Sequence, residues 1–74
     1  MQEYRIDVGQ IEELQTINNK NELDKIFNKA KTTIVNGESV ILMRRQLNGS
    51  IEKFDKYTTL EELAEYKKRV YKYL

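Results

Sequence analysis

The architecture of this chain follows from residues 46–51, which run Gln46-Leu47-Asn48-Gly49-Ser50-Ile51. Asn-Gly is a strong hairpin signal, because both residue types tolerate the positive φ angles that tight turns require. The pair lies between an apolar segment, residues 40–43, and a more polar segment, residues 51–57. Thr59-Leu60-Glu61-Glu62 follows and has the pattern of a helix start. The second half of the chain is therefore predicted to form two strands and a helix.

The register of this predicted hairpin stays open. A two-residue turn places Met43 opposite Phe54, whereas a three-residue turn with a glycine bulge places Leu42 there. A one-residue slip moves every side chain to the other face of the sheet, so the register also decides whether Arg44 or Arg45 points outward. The first strand of the hairpin is apolar at successive positions, which indicates that both of its faces are covered and that it is the central strand.

The first half of the chain begins with a strand pattern. Tyr4, Ile6 and Val8 alternate with polar residues, as in a half-buried strand that ends at Gly9. In residues 11–17 apolar side chains recur at every third position, which predicts a short helix. Extension of the strand past a bulge at Gly9 is the alternative for this segment.

Two longer helices are predicted. The first has Asn21 as its N-cap and ends at Asn36-Gly37, with Gly37 in the left-handed conformation. Its apolar stripe consists of Leu23, Ile26, Phe27, Ala30 and Ile34. The second begins with a capping box of Thr59 and Glu62, and its acidic residues precede its basic ones, as the helix dipole favours. Its apolar stripe consists of Leu60, Leu63, Ala64, Val70, Tyr71 and Leu74.

These elements predict a single α+β domain over residues 1–74 with the order β-α-β-β-α. A βαβ crossover makes the first strand parallel to the central one, and the hairpin adds an antiparallel edge, giving a three-stranded mixed sheet in the order 1-2-3. Each long helix has one apolar stripe, so both are predicted to lie on one face of the sheet. The opposite face is then partly open, and a partner, a second copy or the 11–17 segment is expected to cover it.

Composition limits the chemistry that this chain can perform. Its 74 residues include 13 basic and 12 acidic residues, for a net charge of +1, and they include no cysteine and no histidine. Disulfides and thiolate zinc sites are therefore excluded, and we predict no metal and no cofactor. A chain this short has a small core, so oligomerisation or docking is a natural source of further stability.

The sequence predicts a protein that is not an enzyme and has no small-molecule substrate. Without histidine and cysteine it lacks the commonest general base and the commonest nucleophile pairs. No phosphate-binding glycine motif or calcium loop is present. Glu52 and Asp55 alternate with lysines, but such alternation is typical of an exposed edge strand. No signal peptide and no membrane span are predicted, so we expect a cytoplasmic protein with no membrane partner.

The predicted function is binding to another macromolecule. The preferred partner is a protein or a second copy of the chain, because arginine and tyrosine are enriched at interface hot spots. The predicted contact surface is the open sheet face with the outward side of the last helix, at Arg44, Arg45, Lys68, Arg69 and Tyr73. The alternative is single-stranded nucleic acid, because tyrosines at positions 57, 66, 71 and 73 are interleaved with basic residues.

Overall fold

A computed structural model describes residues 3–72 and residue 74 of this chain. In chain order its elements are strand β1 (Glu3–Asp7), helix α1 (Val8–Thr16), helix α2 (Lys20–Val35), strand β2 (Ser39–Arg45), strand β3 (Ile51–Tyr57) and helix α3 (Leu60–Tyr71). The strands form one sheet in the order β1-β2-β3, with β1 parallel and β3 antiparallel to β2. The predicted mixed sheet and its central strand are confirmed.

Helix α1 confirms the short helix that was predicted for residues 11–17, but it begins earlier, at Val8. Asp7 is the last residue of β1 and also the N-cap of α1, because its carboxylate accepts a hydrogen bond from the Gly9 amide at 2.9 Å. The chain therefore passes from strand to helix without a loop. The alternative, a strand extended past Gly9, is wrong.

Helix α2 also begins two residues before the predicted start. Its N-cap is Asn19 and not Asn21, since the Asn19 side chain accepts a hydrogen bond from the Glu22 amide at 3.3 Å. The predicted end is confirmed. Gly37 has a φ of +83°, and the Glu38 amide donates to the Thr33 carbonyl at 3.0 Å, which closes the helix with a Schellman motif.

The hairpin turn has three residues between Gln46 and Ser50. The Gln46 amide donates to the Ser50 carbonyl at 2.7 Å, and Gly49 has a φ of +89°. Arg44 pairs with Glu52, as the three-residue turn predicts. Residue 45 therefore lies on the opposite side of the sheet from residue 44.

Strand β3 contains a β-bulge that neither predicted register includes. Leu42 pairs with Asp55 and Met43 pairs with Lys53, so Phe54 is an extra residue opposite the step between them. Both predicted partners of Phe54, Met43 and Leu42, are wrong. The bulge interrupts the alternation of β3 and places Phe54 and Asp55 on the same side of the sheet.

All three helices lie on one side of the sheet, which we call the helix side. One apolar core joins buried residues of every helix to the sheet residues that point toward them, and it consists of Ile6, Val8, Ile11, Leu14, Leu23, Phe27, Ala30, Ile34, Val40, Leu42, Tyr57, Leu63, Tyr66 and Val70. The predicted placement of both long helices on one face is confirmed. Helix α1 joins them, so it does not cover the opposite face.

Helix α3 begins with the predicted capping box of Thr59 and Glu62. Its buried stripe differs from the predicted one, however, because Leu63, Tyr66 and Val70 are buried. Leu60 and Ala64 are exposed beside that stripe. The helix is therefore rotated so that Tyr66, which the sequence placed among outward tyrosines, packs against Phe27 with ring centroids 5.7 Å apart.

Candidate functional site

The side of the sheet opposite the helices carries no covering element among the described residues, and we call it the open face. Cross-strand register assigns its side chains. They are Glu3, Arg5, Asp7, Ser39, Ile41, Met43, Arg45, Ile51, Lys53 and Lys56. This surface contains one of the two candidate arginines of the hairpin, Arg45.

Apolar exposure on the open face is concentrated near the hairpin turn. Ile41 is only 7% exposed, and its cross-strand neighbours Arg5 and Lys56 have long aliphatic stems that are placed to cover it. Met43 is half-buried, and Ile51 is 56% exposed. Water therefore reaches apolar atoms mainly around Met43 and Ile51.

The charges of the open face are divided between its strands. Strand β1 contributes two carboxylates and one guanidinium, and the Arg5 Nη2 atom lies 4.0 Å from the Glu3 Oε2 atom. Strands β2 and β3 contribute only cations to this face, at Arg45, Lys53 and Lys56. The exposed apolar area is thus bordered by Arg45 and Lys53, and by the carboxylate of Asp7 where β1 pairs with Met43.

A groove of about 350 Å³ lies on the helix side, where α1, α3 and the hairpin meet. Its floor is apolar and consists of Val8, Ile11 and Val70. Its walls include two guanidinium groups, from Arg44 and Arg69, and we call it the arginine groove. The sequence did not indicate this groove, because its walls come from positions as far apart as residues 12 and 69.

On one wall, Arg44 is held by two neighbours. Its Nη1 atom lies 3.1 Å from the Glu12 Oε1 atom on helix α1. Its guanidinium carbon lies 5.7 Å from the centre of the Phe54 ring, which is 60% exposed. The bulge in β3 is what brings Phe54 to this side of the sheet, where it stacks with Arg44.

On the other wall, Arg69 lies over Tyr66 with its guanidinium carbon 5.8 Å from the ring centre. Its Nη2 atom donates to the Tyr57 hydroxyl at 3.4 Å. Burial raises the pKa of Tyr57, and the charge of Asp55 raises it further, whereas Arg69 lowers it. Arg69 and Asp55 therefore both act on the Tyr57 hydroxyl, in opposite directions.

Tyr66 also lines the groove, together with the two arginines. It is 9% exposed, and burial raises the pKa of its hydroxyl to about 12. The charged side chains of Glu12, Arg69 and Arg44 also act on this hydroxyl. At neutral pH the group is therefore protonated and can act as a hydrogen-bond donor.

The structure does not bring the predicted contact residues together on one surface. Arg44 and Arg69 come together in the arginine groove, while Arg45 lies on the open face with the sheet between it and helix α3. Lys68 is exposed on α3 and lies next to Arg69 on the outer surface of that helix. Tyr73 lies outside the described residues. Glu12 and Phe54 were not predicted as members of any site.

The four described tyrosines all pack toward the core. Tyr57 and Tyr66 are buried, and Tyr4 and Tyr71 are partly buried against the same core. The Tyr71 hydroxyl donates to Asp24 on helix α2. The tyrosines that were predicted to interleave with basic residues thus pack inside the protein at these positions.

Comparisons with protein families, with curated proteins and with solved structures find no match to this chain. Within residues 3–72, no helix has both the length and the apolar composition needed to cross a membrane. In the same described part of the chain, no three acidic side chains are grouped so that they would hold a metal ion.

Proposed function

We propose that this chain is a non-enzymatic binding protein that docks a protein partner through its open face. The observation that carries the proposal is the uncovered apolar area around Met43 and Ile51, whose border consists of Arg45 and Lys53 with Asp7 on the β1 side. Protein interfaces combine an apolar centre with a polar rim, and arginine is enriched among their hot spots. The partner that fits presents apolar side chains with carboxylates placed to meet Arg45 and Lys53.

Charge argues for a different protein and against a second copy on this face. The six charged residues of the open face are Glu3, Arg5, Asp7, Arg45, Lys53 and Lys56, so four cations stand against two carboxylates. Two copies packed face to face would bring two net-positive surfaces together, which costs free energy. An acidic partner gains from the same charges.

The test compares two variants that each replace one apolar residue with glutamate. Met43→Glu places a carboxylate at the centre of the proposed interface, and Val35→Glu places one at the exposed end of α2. The tagged chain is cross-linked in extract of its own cells, and partners are quantified by mass spectrometry. We expect one acidic protein to be lost with Met43→Glu and retained with Val35→Glu.

Equal recovery with both variants would contradict docking on the open face. Light scattering of the purified chain over a range of concentrations provides the complementary measurement. A monomer at all concentrations agrees with a different protein as the partner, whereas a dimer that Met43→Glu dissociates would assign the open face to self-association.

Single-stranded nucleic acid is the second candidate partner, and one observation favours it. Phe54 is 60% exposed and lies against Arg44, which together offer a ring for base stacking and a cation for a phosphate. Fluorescence anisotropy with a short oligothymidylate at two salt concentrations tests this candidate. Binding that weakens steeply with salt and is lost in Phe54→Ala would support it, and salt-independent or absent binding would exclude it.

A further inference from the structure

We propose that the arginine groove binds a small monocarboxylic acid with an apolar, ring-containing body. The sheet lies between this groove and the open face, so the proposal does not depend on the docking function. It also differs from the expectation drawn from the sequence, which included no small-molecule substrate. Arg44, Arg69 and the Tyr66 hydroxyl supply the donors for the carboxylate. The groove floor and Phe54 supply the apolar contacts.

The two guanidinium groups retain hydrogen-bonding capacity. Arg69 donates to the Tyr57 hydroxyl at 3.4 Å, and no carboxylate of the described residues lies within 4.0 Å of it. Arg44 has one carboxylate neighbour, Glu12. A guanidinium has five N–H donors in a planar fork that matches a carboxylate, so both arginines have donors to spare.

The Tyr66 hydroxyl is the strongest single indication of a ligand. More than nine tenths of this residue is buried, and its hydroxyl makes no hydrogen bond to any described residue. In residues 3–72 and 74, no fully enclosed polar side-chain atom lacks a partner, so this hydroxyl must be reached from the groove. The ring is thus buried while its hydroxyl opens into the groove without a protein partner, so the hydroxyl can donate to an acceptor that enters there.

The charge of the groove limits the negative charge that a ligand can carry. Glu12 and Asp55 lie in the walls together with Arg44 and Arg69, so the four side chains sum to zero. A monocarboxylate bound between the arginines leaves a net charge of minus one, whereas a phosphate dianion would add repulsion from both carboxylates. The groove therefore favours a monoanion over a nucleotide or a phosphorylated group.

The size and lining of the groove specify the body of the ligand. A volume of about 350 Å³ is at the lower end of the range for small-molecule sites. The floor of Val8, Ile11 and Val70 is apolar, and the exposed Phe54 ring offers a stacking surface at the mouth. A single ring with a short acid side chain fits these dimensions.

Phenylacetate is the probe for this site, measured by two-dimensional ¹H–¹⁵N NMR titration of the full chain. We expect saturable shifts confined to the amides around residues 8–15, 44, 54–55 and 66–70, with a dissociation constant in the millimolar range. Phenylacetamide retains the ring without the charge, and acetate retains the charge without the ring. Each is expected to bind at least about tenfold more weakly than phenylacetate.

Variants distinguish binding of phenylacetate in the groove from nonspecific binding elsewhere on the protein. Arg69→Gln and Tyr66→Phe each remove one donor, and Tyr66→Phe preserves the ring packing, so each is expected to weaken phenylacetate binding about tenfold. Arg45→Gln is the matched control, because it removes a guanidinium from the other side of the sheet and is expected to leave the titration unchanged. Dispersed spectra of each variant establish that it is folded.

Three results would overturn the proposal. They are an absence of saturable shifts at these amides, equal binding of phenylacetamide, and equal loss of binding in Arg45→Gln and Arg69→Gln. A second probe, N-acetylphenylalanine, presents the same carboxylate as a peptide chain end. If this probe binds more tightly than phenylacetate, the ligand is assigned to the C terminus of another chain. If it binds more weakly than phenylacetate, the ligand is assigned to a free acid.

Discussion

Gly37 ends helix α2 in a backbone conformation that L-residues with a side chain adopt only at a cost. Its φ is +83°, and a β-carbon at this position would meet no atom within 4 Å. The expected loss in Gly37→Ala is therefore pure conformational strain, about 1 kcal/mol of unfolding free energy measured by urea denaturation. Gly37→Asn is the control and should lose less, because asparagine tolerates the left-handed region.

Equal losses in the two Gly37 variants would contradict this explanation and would point to an effect of the added side chain itself. The amides of Gly37 and Glu38 donate to carbonyls of α2 in the Schellman motif, so hydrogen exchange at these two amides reports directly on the helix end.

Tyr71 ties helix α3 to helix α2 through its hydroxyl, which donates to the Asp24 carboxylate. We expect Tyr71→Phe to lower the free energy of unfolding by about 1–2 kcal/mol, because a hydrogen bond to a charged acceptor is lost and the half-buried carboxylate keeps no equivalent donor. Tyr4→Phe is the matched control. The Tyr4 ring lies 4.8 Å from the Lys29 ammonium nitrogen, and its hydroxyl donates to no other described residue, so its loss should cost little.

At the scale of elements, the capping box is the clearest local determinant of helix α3. The Thr59 hydroxyl accepts from the Glu62 amide at 3.2 Å, and the Glu62 carboxylate accepts from the Thr59 amide at 3.3 Å. Thr59→Ala should lower the free energy of unfolding by about 1 kcal/mol. Thr32→Ala is the control within α2, where the threonine hydroxyl bonds back to the Asn28 carbonyl at 3.0 Å. That change should be neutral or stabilising, because alanine has the higher helix propensity.

The two faces of strand β2 make different contributions to stability. Leu42 is fully buried in the core, and Met43 is half-buried on the open face. We expect Leu42→Ala to cost about 2–5 kcal/mol, a large part of the stability of so small a domain, and Met43→Ala to cost less than about 1 kcal/mol. Urea denaturation of both variants measures the difference. Similar losses would mean that the open face is covered in the isolated chain.

Local signals in the sequence predicted most of the elements. The Asn-Gly pairs, the capping box and the periodic stripes act over a few residues, so the strands, the hairpin turn and both long helices followed from them. The start of α1 was missed, because Asp7 serves both the strand and the helix. The bulge at Phe54 was missed as well, since an extra residue in a strand has no local signature.

The candidate sites depend on contacts between distant residues, and this is why sequence reasoning located them only in part. It selected Arg44 and Arg69 separately, but only the packing of α3 on the sheet places both at one groove with Tyr66. The rotation of α3 buries Tyr66 and exposes Leu60, against the predicted stripe. The periodicity of the sequence indicates how wide the apolar stripe of a helix is, but tertiary packing determines which residues at its edges are buried.

At the scale of the whole molecule, stability should depend on pH mainly outside the neutral range, because the chain has no histidine. Burial raises the pKa values of Tyr4, Tyr57, Tyr66 and Tyr71. As the pH rises, the tyrosine hydroxyls of the unfolded chain therefore lose their protons before those of the folded chain do. The free energy of unfolding should consequently fall as the pH rises above about 10. Hydrogen bonds from Thr58 and Thr59 lower the pKa of Glu62, so its ionised form stabilises the folded chain. This contribution to stability should be lost as the pH falls below about 4.5.

Urea denaturation followed by far-ultraviolet circular dichroism at several pH values measures this profile. We expect a plateau through the neutral range and a decline at both ends. Tyr66→Phe should reduce the alkaline decline, since it removes one of the raised pKa values. An alkaline decline of the same size in this variant would show that other groups cause it.

The inward packing of the tyrosines gives this protein an optical signal of its own. The chain has no tryptophan, so absorption near 280 nm comes from tyrosine, and the four described rings all contact the layer where helices meet sheet. Near-ultraviolet circular dichroism will therefore follow the docking of helices on the sheet without any attached label. A compact intermediate that keeps its helices but loosens this layer would lose that band while its amide spectrum persists.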